Sequence, residues 1–212
     1  MSASSHDPSL NPWFPPAAVG SPPLKPLRAI GLVGSGKTAT GIAHWCATKG
    51  LGIIMHDNQV GALTQAIEMV RSLFKAAEER HEITHPAAHK AMGGIGISTS
   101  VEDLEFCDMI IETITEDAAS KRARFTDFSR VMPPDAVLAT CASETGLEEL
   151  FDVTTSPGRV IGLGFFDPVD ASRQIQVTIG SKTSRATAER VVAFINTLGK
   201  APVVKGRARN GA

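Results

Sequence analysis

Gly31-Leu-Val-Gly-Ser-Gly-Lys-Thr38 fits two nucleotide-binding fingerprints at once. From Gly31 it is G-x-x-x-x-G-K-T, the phosphate-cradling loop of ATPases and GTPases. From Gly34 it is Gly34-Ser-Gly36-Lys-Thr-Ala39, the G-x-G-x-x-A turn of a dinucleotide-binding βαβ unit. The two differ in where the first strand stops. A phosphate loop puts Gly31 past the strand and leaves only Leu27–Ile30 in it. A dinucleotide turn keeps Ile30-Gly-Leu-Val33 in the strand and bends at Gly34. Buried parallel strands are near-continuous apolar runs, and the longer strand fits that rule better despite Gly31.

Downstream residues favour the dinucleotide turn. Ala39, Gly41, Ile42 and Ala43 are the small residues that close helix–sheet packing needs. The next apolar run, Leu51–Met55, ends at His56-Asp57. Asp57 follows Gly34 by 57 − 34 = 23 residues, near the roughly 20 expected for an acid that accepts from the adenosine ribose. No arginine follows it in Asn58-Gln59, which favours NAD over NADP. Asp57 would also serve a phosphate loop as its magnesium acid, so a P-loop ATPase stays open at this point.

Composition sets the outer bounds. The 212 residues are 42% hydrophobic and 20% charged with net charge −1, enough to bury one large core. Near-neutrality gives no electrostatic case for nucleic acid or an anionic membrane. Cys46, Cys107 and Cys141 are too widely spaced for a metal or disulfide pattern, which suits a reducing, cytoplasmic setting. No apolar run is long enough to span a bilayer, and the N-terminus has no secretory h-region.

Residues 1–27 carry seven of the thirteen prolines and are expected to form a disordered arm. Within it, Trp13-Phe14 is either a docking tag or a pair of incidental aromatics. From residue 28 to 205, apolar runs alternate with helical patterns. Strands are predicted near 28–33, 52–56, 94–98, 108–112, 135–140, 160–165, 174–179 and 201–204. Helices are predicted near 37–49, 60–80, 85–92, 118–131, 146–151 and 184–198. This alternation predicts an α/β fold, a Rossmann-type doubly wound, mostly parallel sheet with helices on both faces. The polar tail 206–212 is expected to fray.

Several blocks, in order, resemble the NAD-binding domain of the L-3-hydroxyacyl-CoA dehydrogenases. They are Ile30–Ala43, Ile111-Glu-Thr-Ile-Thr-Glu-Asp117 with Lys121 and Phe125, Leu138–Ser143, Arg159–Val169 and Leu198–Val204. The resemblance covers about residues 29–205 and favours the dinucleotide turn over the phosphate loop. It implies oxidation of 3-hydroxyacyl-CoA to 3-ketoacyl-CoA in fatty-acid metabolism, with NAD as cofactor and an acyl-CoA substrate. Gly34, Ser35 and Gly36 would pass the backbone close to the pyrophosphate, with Lys37 and Thr38 contacting the cofactor over the same turn. Asp57 would take the ribose hydroxyls, and Glu116 and Lys121 would lie along the nicotinamide half. Without a ligand, the last two are an ordinary solvated pair at a helix start.

The sequence departs from the family where its chemistry sits. The family's histidine, which takes the hydroxyl proton as hydride leaves for NAD, corresponds to Gly164 in Gly164-Phe-Phe-Asp-Pro168. The glutamate that supports it corresponds to Gln176, twelve positions on. Ser143 matches a substrate-contacting serine and is equally readable as a strand-end turn residue. Glu144 and Asp167 are the two ionisable groups the motifs place near enough to act as substitute bases, and they are otherwise a surface Glu and a turn Asp. The family's C-terminal helical domain is not matched, and a partner chain that supplies it is one open reading. The expectation is an NAD(H)-binding domain weak or inactive by itself. A non-catalytic NAD-dependent sensor module is the alternative.

Overall fold

A computed structural model describes residues 24–114, 117–141 and 144–206, the side chains of 144 and 145 excepted. Eight strands form one sheet: β1 (Ala29–Val33), β2 (Gly52–His56), β3 (Ile95–Ser98), β4 (Met109–Glu112), β5 (Val137–Thr140), β6 (Val160–Gly164), β7 (Gln174–Ile179) and β8 (Ala201–Gly206). Their spatial order is β3-β2-β1-β4-β5-β6-β7-β8. The first six are mutually parallel, β7 runs antiparallel to β6, and β8 is parallel to β7.

Connection length explains the one reversal. A parallel crossover needs a dozen or more residues and usually a helix. Residues 165–173 between β6 and β7 contain no helix, so the chain can only turn back. Between β7 and β8 lies α6 (Arg185–Thr197), and parallel pairing resumes.

Helices cover both faces. α1 (Lys37–Thr48), α2 (Val60–Glu79), α3 (His85–Met92) and α6 build one core, with Ile30, Ile42, Trp45, Leu63, Phe74 and Ile195 all nearly solvent-free. α4 (Ala118–Val131) and α5 (Glu144–Leu150) build the other around Val33, Ile110, Phe125, Phe128 and Leu147. The glycine inside β1 has a packing cause. A Cβ on Gly31 would lie 2.9 Å from Leu104 Cδ2 and 3.0 Å from Ile110 Cγ2, so a larger residue would push the second core off the sheet. Gly31 pairs with Ile54 on one side and Ile110 on the other. It lies within the strand rather than past it, and the phosphate-loop alternative loses its geometry.

His44, on α1, is 5% exposed and meets Phe74 edge-on, with ring centroids 4.5 Å apart. Neither of its ring nitrogens has a hydrogen-bond partner among the described residues. Burial holds this imidazole below its ordinary protonation range, and burial does the same to His56 despite its contact with the Ser98 carbonyl. Each folded-state pKa is therefore below the unfolded value of about 6.5. The unfolded chain binds more protons below that pH, so stability is full above it and erodes as pH falls. The slope is at most about 1.4 kcal/mol per pH unit for each histidine. Thermal midpoints between pH 7.5 and 5.5 should drop, and His44→Leu should flatten that drop. An unchanged slope would show that His44 does not titrate with unfolding.

Candidate functional site: a cleft at the switch point of the sheet

The strand order reverses direction between β1 and β4, and a crevice opens there at the carboxyl ends of the strands. The cleft measures about 490 Å³. The turn Gly34–Thr38 forms its floor, Asp57–Gln59 one side, and Thr113, Ile114 and Arg124 the other. Gly34–Thr38 and Asp57, far apart in sequence, are thus brought together as the motif spacing predicts.

Gly34 makes the turn possible. Its φ is +110°, a region L side chains rarely adopt. A Cβ there would stand 2.7 Å from Thr113 Oγ1 and 2.9 Å from Ile114 Cγ1. Its N–H donates to the His56 carbonyl at 2.8 Å, tying the turn to the end of β2. The next residue repeats that link: Ser35 Oγ donates to Asp57 Oδ2 at 2.7 Å, while Asp57 Oδ1 accepts from the Gln59 N–H at 3.1 Å. The acid at the tip of β2 is therefore fixed in the cleft.

The first turn of α1 has no side-chain cap, because its N-cap is Gly36, and it holds no acidic residue. By contrast, Asp117 caps α4 by accepting from the N–H groups of Ala119 and Ser120. An uncapped N-terminus with no local carboxylate is suited to an anion. Lys37, on that turn, makes an ion pair with Asp167 from the β6–β7 connection. The same connection is held down by Lys200, 8% exposed, which donates to the carbonyls of Val169 at 2.6 Å, Asp170 at 3.1 Å and Ser172. Its ammonium also lies 4.9 Å from the centre of the Trp45 ring.

Lys121 does not line the cleft. Its Nζ donates to Glu112 Oε2 at 2.7 Å and to the Ile114 carbonyl at 3.0 Å. Glu112, 1% exposed, also accepts from Thr140 Oγ1 at 2.7 Å and from the Ile114 N–H at 2.7 Å. Lys121 is thereby placed one layer behind the wall, bracing Ile114 from both ends of its peptide. Sequence reasoning passed over Glu112 and Arg124. A carboxylate ending the apolar run Met109–Ile111 was the available signal for the first; nothing in the sequence marked the second.

Gly164 and Gln176 face one another in register across β6 and β7. A Cβ on Gly164 would lie 3.1 Å from the Gln176 Cβ, so the twelve-residue separation closes into a direct cross-strand pair. Gln176 Nε2 donates to Thr178 Oγ1 at 3.3 Å. No ionisable side chain occupies either position. Cys141, after β5, has its thiol pushed up to about 12, by burial first and then by Glu112, and is no nucleophile. Glu116, Ser143 and Trp13-Phe14 fall outside the described residues, as does the side chain of Glu144. Among the described residues, no group of three or more His, Cys, Asp or Glu could hold a metal, and no helix is long and apolar enough to cross a membrane.

Strand order, a positive-φ glycine turn and an acid at the tip of β2 define a dinucleotide-binding domain of Rossmann type. Comparison with known proteins narrows the class. Residues 29–208 match the family described as 3-hydroxyacyl-CoA dehydrogenase, NAD binding domain, and the chain belongs to it; its cofactor is NAD. It is 30% identical over 177 residues to a probable 3-hydroxybutyryl-CoA dehydrogenase of Bacillus subtilis, covering 84% of this chain and 62% of that protein. It is 29% identical to a 3-hydroxybutyryl-CoA dehydrogenase of Bradyrhizobium diazoefficiens, covering 82% and 59%. The crystal structure of (S)-3-hydroxybutyryl-CoA dehydrogenase PaaH1 from Ralstonia eutropha superposes with a TM-score of 0.82 at 29% identity, covering 86% of this chain and 64% of that one. The chain thus spans less than two thirds of the length of these relatives.

Proposed function

We propose that residues 28–205 are the NAD(H)-binding unit of a 3-hydroxyacyl-CoA dehydrogenase system, weak or inactive alone because its proton-transfer pair is absent. The single observation behind this is the pairing of Gly164 with Gln176, where the family's histidine and glutamate would meet. The residues present fit the cofactor. Gly34 lets the turn pass directly against Thr113 and Ile114, where a Cβ would clash. The uncapped first turn of α1 suits a pyrophosphate at Gly34–Thr38, and Asp57 stands ready to accept from ribose hydroxyls. When bound, the nicotinamide supplies hydride acceptance and donation. Glu116 and Lys121 are assigned to the nicotinamide half, Lys121 by bracing the wall through Glu112 and Ile114.

A positioned general base is worth roughly 10²–10⁴-fold in such a proton transfer, and neither Gly164 nor Gln176 offers one. Asp167 is engaged by Lys37, which weighs against it as a substitute base. Glu144 and Ser143 are the remaining candidates. The substrate is a 3-hydroxyacyl-CoA, the domain works with a helical substrate domain, and the setting is cytoplasmic. No nucleic acid or membrane partner is proposed.

Calorimetric titration with NADH, NADPH and ATP tests the cofactor assignment, with NADH expected to bind best. Gly34→Ala should weaken NADH by at least about ten-fold, since strain at positive φ alone costs about 1–2 kcal/mol and the new methyl would also meet Thr113 and Ile114. Unaltered NADH affinity in that variant would place the cofactor elsewhere. NADH binding with no turnover of acetoacetyl-CoA, even with a helical partner present, would favour the sensor module.

A further inference from the structure

The two sides of the cleft differ in chemistry. One offers the backbone of Gly34–Gly36 and the Asp57 carboxylate; the other is Ile114 and, from the second turn of α4, Arg124. Lys121 and Arg124 are three residues apart, hence neighbours on one helix surface, yet they are put to different tasks. Lys121 turns inward to the buried Glu112, whereas Arg124 reaches the cleft.

Arg124 stands on a rigid helix and lines the same cleft as Asp57. Phe125 beside it is fully buried and packs edge-on against Phe128 at 5.7 Å, so the helix under Arg124 is firmly seated. The positive charge of Arg124 is also felt at His56, where it adds to burial in disfavouring the imidazolium. His56 immediately precedes Asp57 and ends β2. Arg124 and Asp57 line one cleft, which on the cofactor assignment above takes the adenosine half.

We propose that Arg124 is a recognition residue for adenine, its guanidinium plane forming a wall against the ring of NAD(H). This rests on the proposed cofactor site. A guanidinium is planar, weakly hydrated and stacks on aromatic faces, which an ammonium does not do. Asp57, on the opposite side, accepts from ribose hydroxyls and would repel a 2′-phosphate. The pairing of a plane with an acid thus selects an unphosphorylated adenosine.

The test is calorimetry on the full chain and its Arg124→Leu and Arg124→Lys variants with NADH, ADP-ribose, reduced nicotinamide mononucleotide and NADPH. Arg124→Leu should weaken NADH and ADP-ribose about five- to ten-fold and leave the mononucleotide unchanged. Arg124→Lys should recover less than half of that loss, because charge returns without the plane. Equal NADH affinity in all three proteins overturns the proposal, as does full recovery with lysine or an equal loss for the mononucleotide. NADPH bound more tightly than NADH and weakened by Arg124→Leu would make Arg124 a phosphate reader instead. A wild-type chain that ignores NADH removes the cofactor assignment and this inference together. Should Arg124→Leu not fold, Arg124→Lys decides by the same ratio of NADH to mononucleotide affinity.

Discussion

Lys121→Met is expected to lower the unfolding free energy by about 3–5 kcal/mol, the usual cost of stripping a buried charge of its partner. Glu112 is 1% exposed and its carboxylate has three donors: the Lys121 ammonium, the Thr140 hydroxyl and the Ile114 N–H. Only the first carries a compensating charge. Methionine keeps most of the lysine stem, so packing is little altered and the loss reports on the charge itself. Urea unfolding at pH 7 measures it, and the double variant Lys121→Met/Glu112→Gln provides the control. A neutral amide can still accept from Ile114 and donate to Thr140, so the double variant should regain at least half of the lost stability. If the single variant unfolds within about 1 kcal/mol of wild type, the pair behaves like an exposed surface bridge and does not brace the wall. NADH affinity should fall in the single variant as well, because Lys121 also donates to the Ile114 carbonyl and Ile114 lines the cleft.

That lysine shows how far the sequence could be read. Its place in the block Ile111–Phe125 pointed to the nicotinamide side of the cofactor; Thr113, Ile114 and Arg124 of that block line the cleft, and Lys121 stands behind them. What spacing could not convey was the direction of the side chain, set by a carboxylate at the end of β4 that had looked like the close of an apolar run. The turn at Gly34 was legible because three constraints converged there: an apolar strand, small residues in the following helix, and an acid at a fixed distance. Helix positions were legible for the same reason, and α3, α4 and β7 fall within the expected bounds. The predicted strand at 108–112 begins instead at Met109, although the Asp108 backbone already donates to the Ala29 carbonyl and accepts from the Val137 N–H. The short 3-10 segment Glu102–Phe106 left no periodic signal, being little more than one turn. The reversal of β7 was not foreseen, although the helix-free connection before it required one. The motif match carried the pairing of Gly164 with Gln176 further than local pattern could, since cross-strand register depends on the whole sheet.

Gly164→His together with Gln176→Glu is expected to raise NADH-dependent reduction of acetoacetyl-CoA by about 10²–10⁴-fold over the unmodified chain, the range a positioned acid–base group supplies. The two positions are register partners at adjacent strands, so a glutamate at 176 can hold an imidazole at 164 by the same logic that orients a histidine in a catalytic triad. Gln176→Glu alone supplies no group at 164 and should gain nothing. Gly164→His alone should gain only part, because its imidazole would lack a carboxylate to fix its tautomer. The new Cβ lies 3.1 Å from the Cβ of residue 176, so a few tenths of an ångström must be found between β6 and β7. That overpacking should cost about 1–3 kcal/mol, readable as a lower thermal midpoint. The pH profile separates chemistry from a general change in structure. Ketone reduction needs the imidazolium to give a proton, so its rate should fall as pH rises through the imidazole's pKa, which the neighbouring carboxylate lifts above about 6.5. Oxidation of 3-hydroxybutyryl-CoA needs the neutral ring and should rise over the same interval. A double variant that binds NADH normally yet gains less than ten-fold would show that the missing pair is not what limits this chain. The deficit would then lie in substrate capture, readable as a high KM for acetoacetyl-CoA.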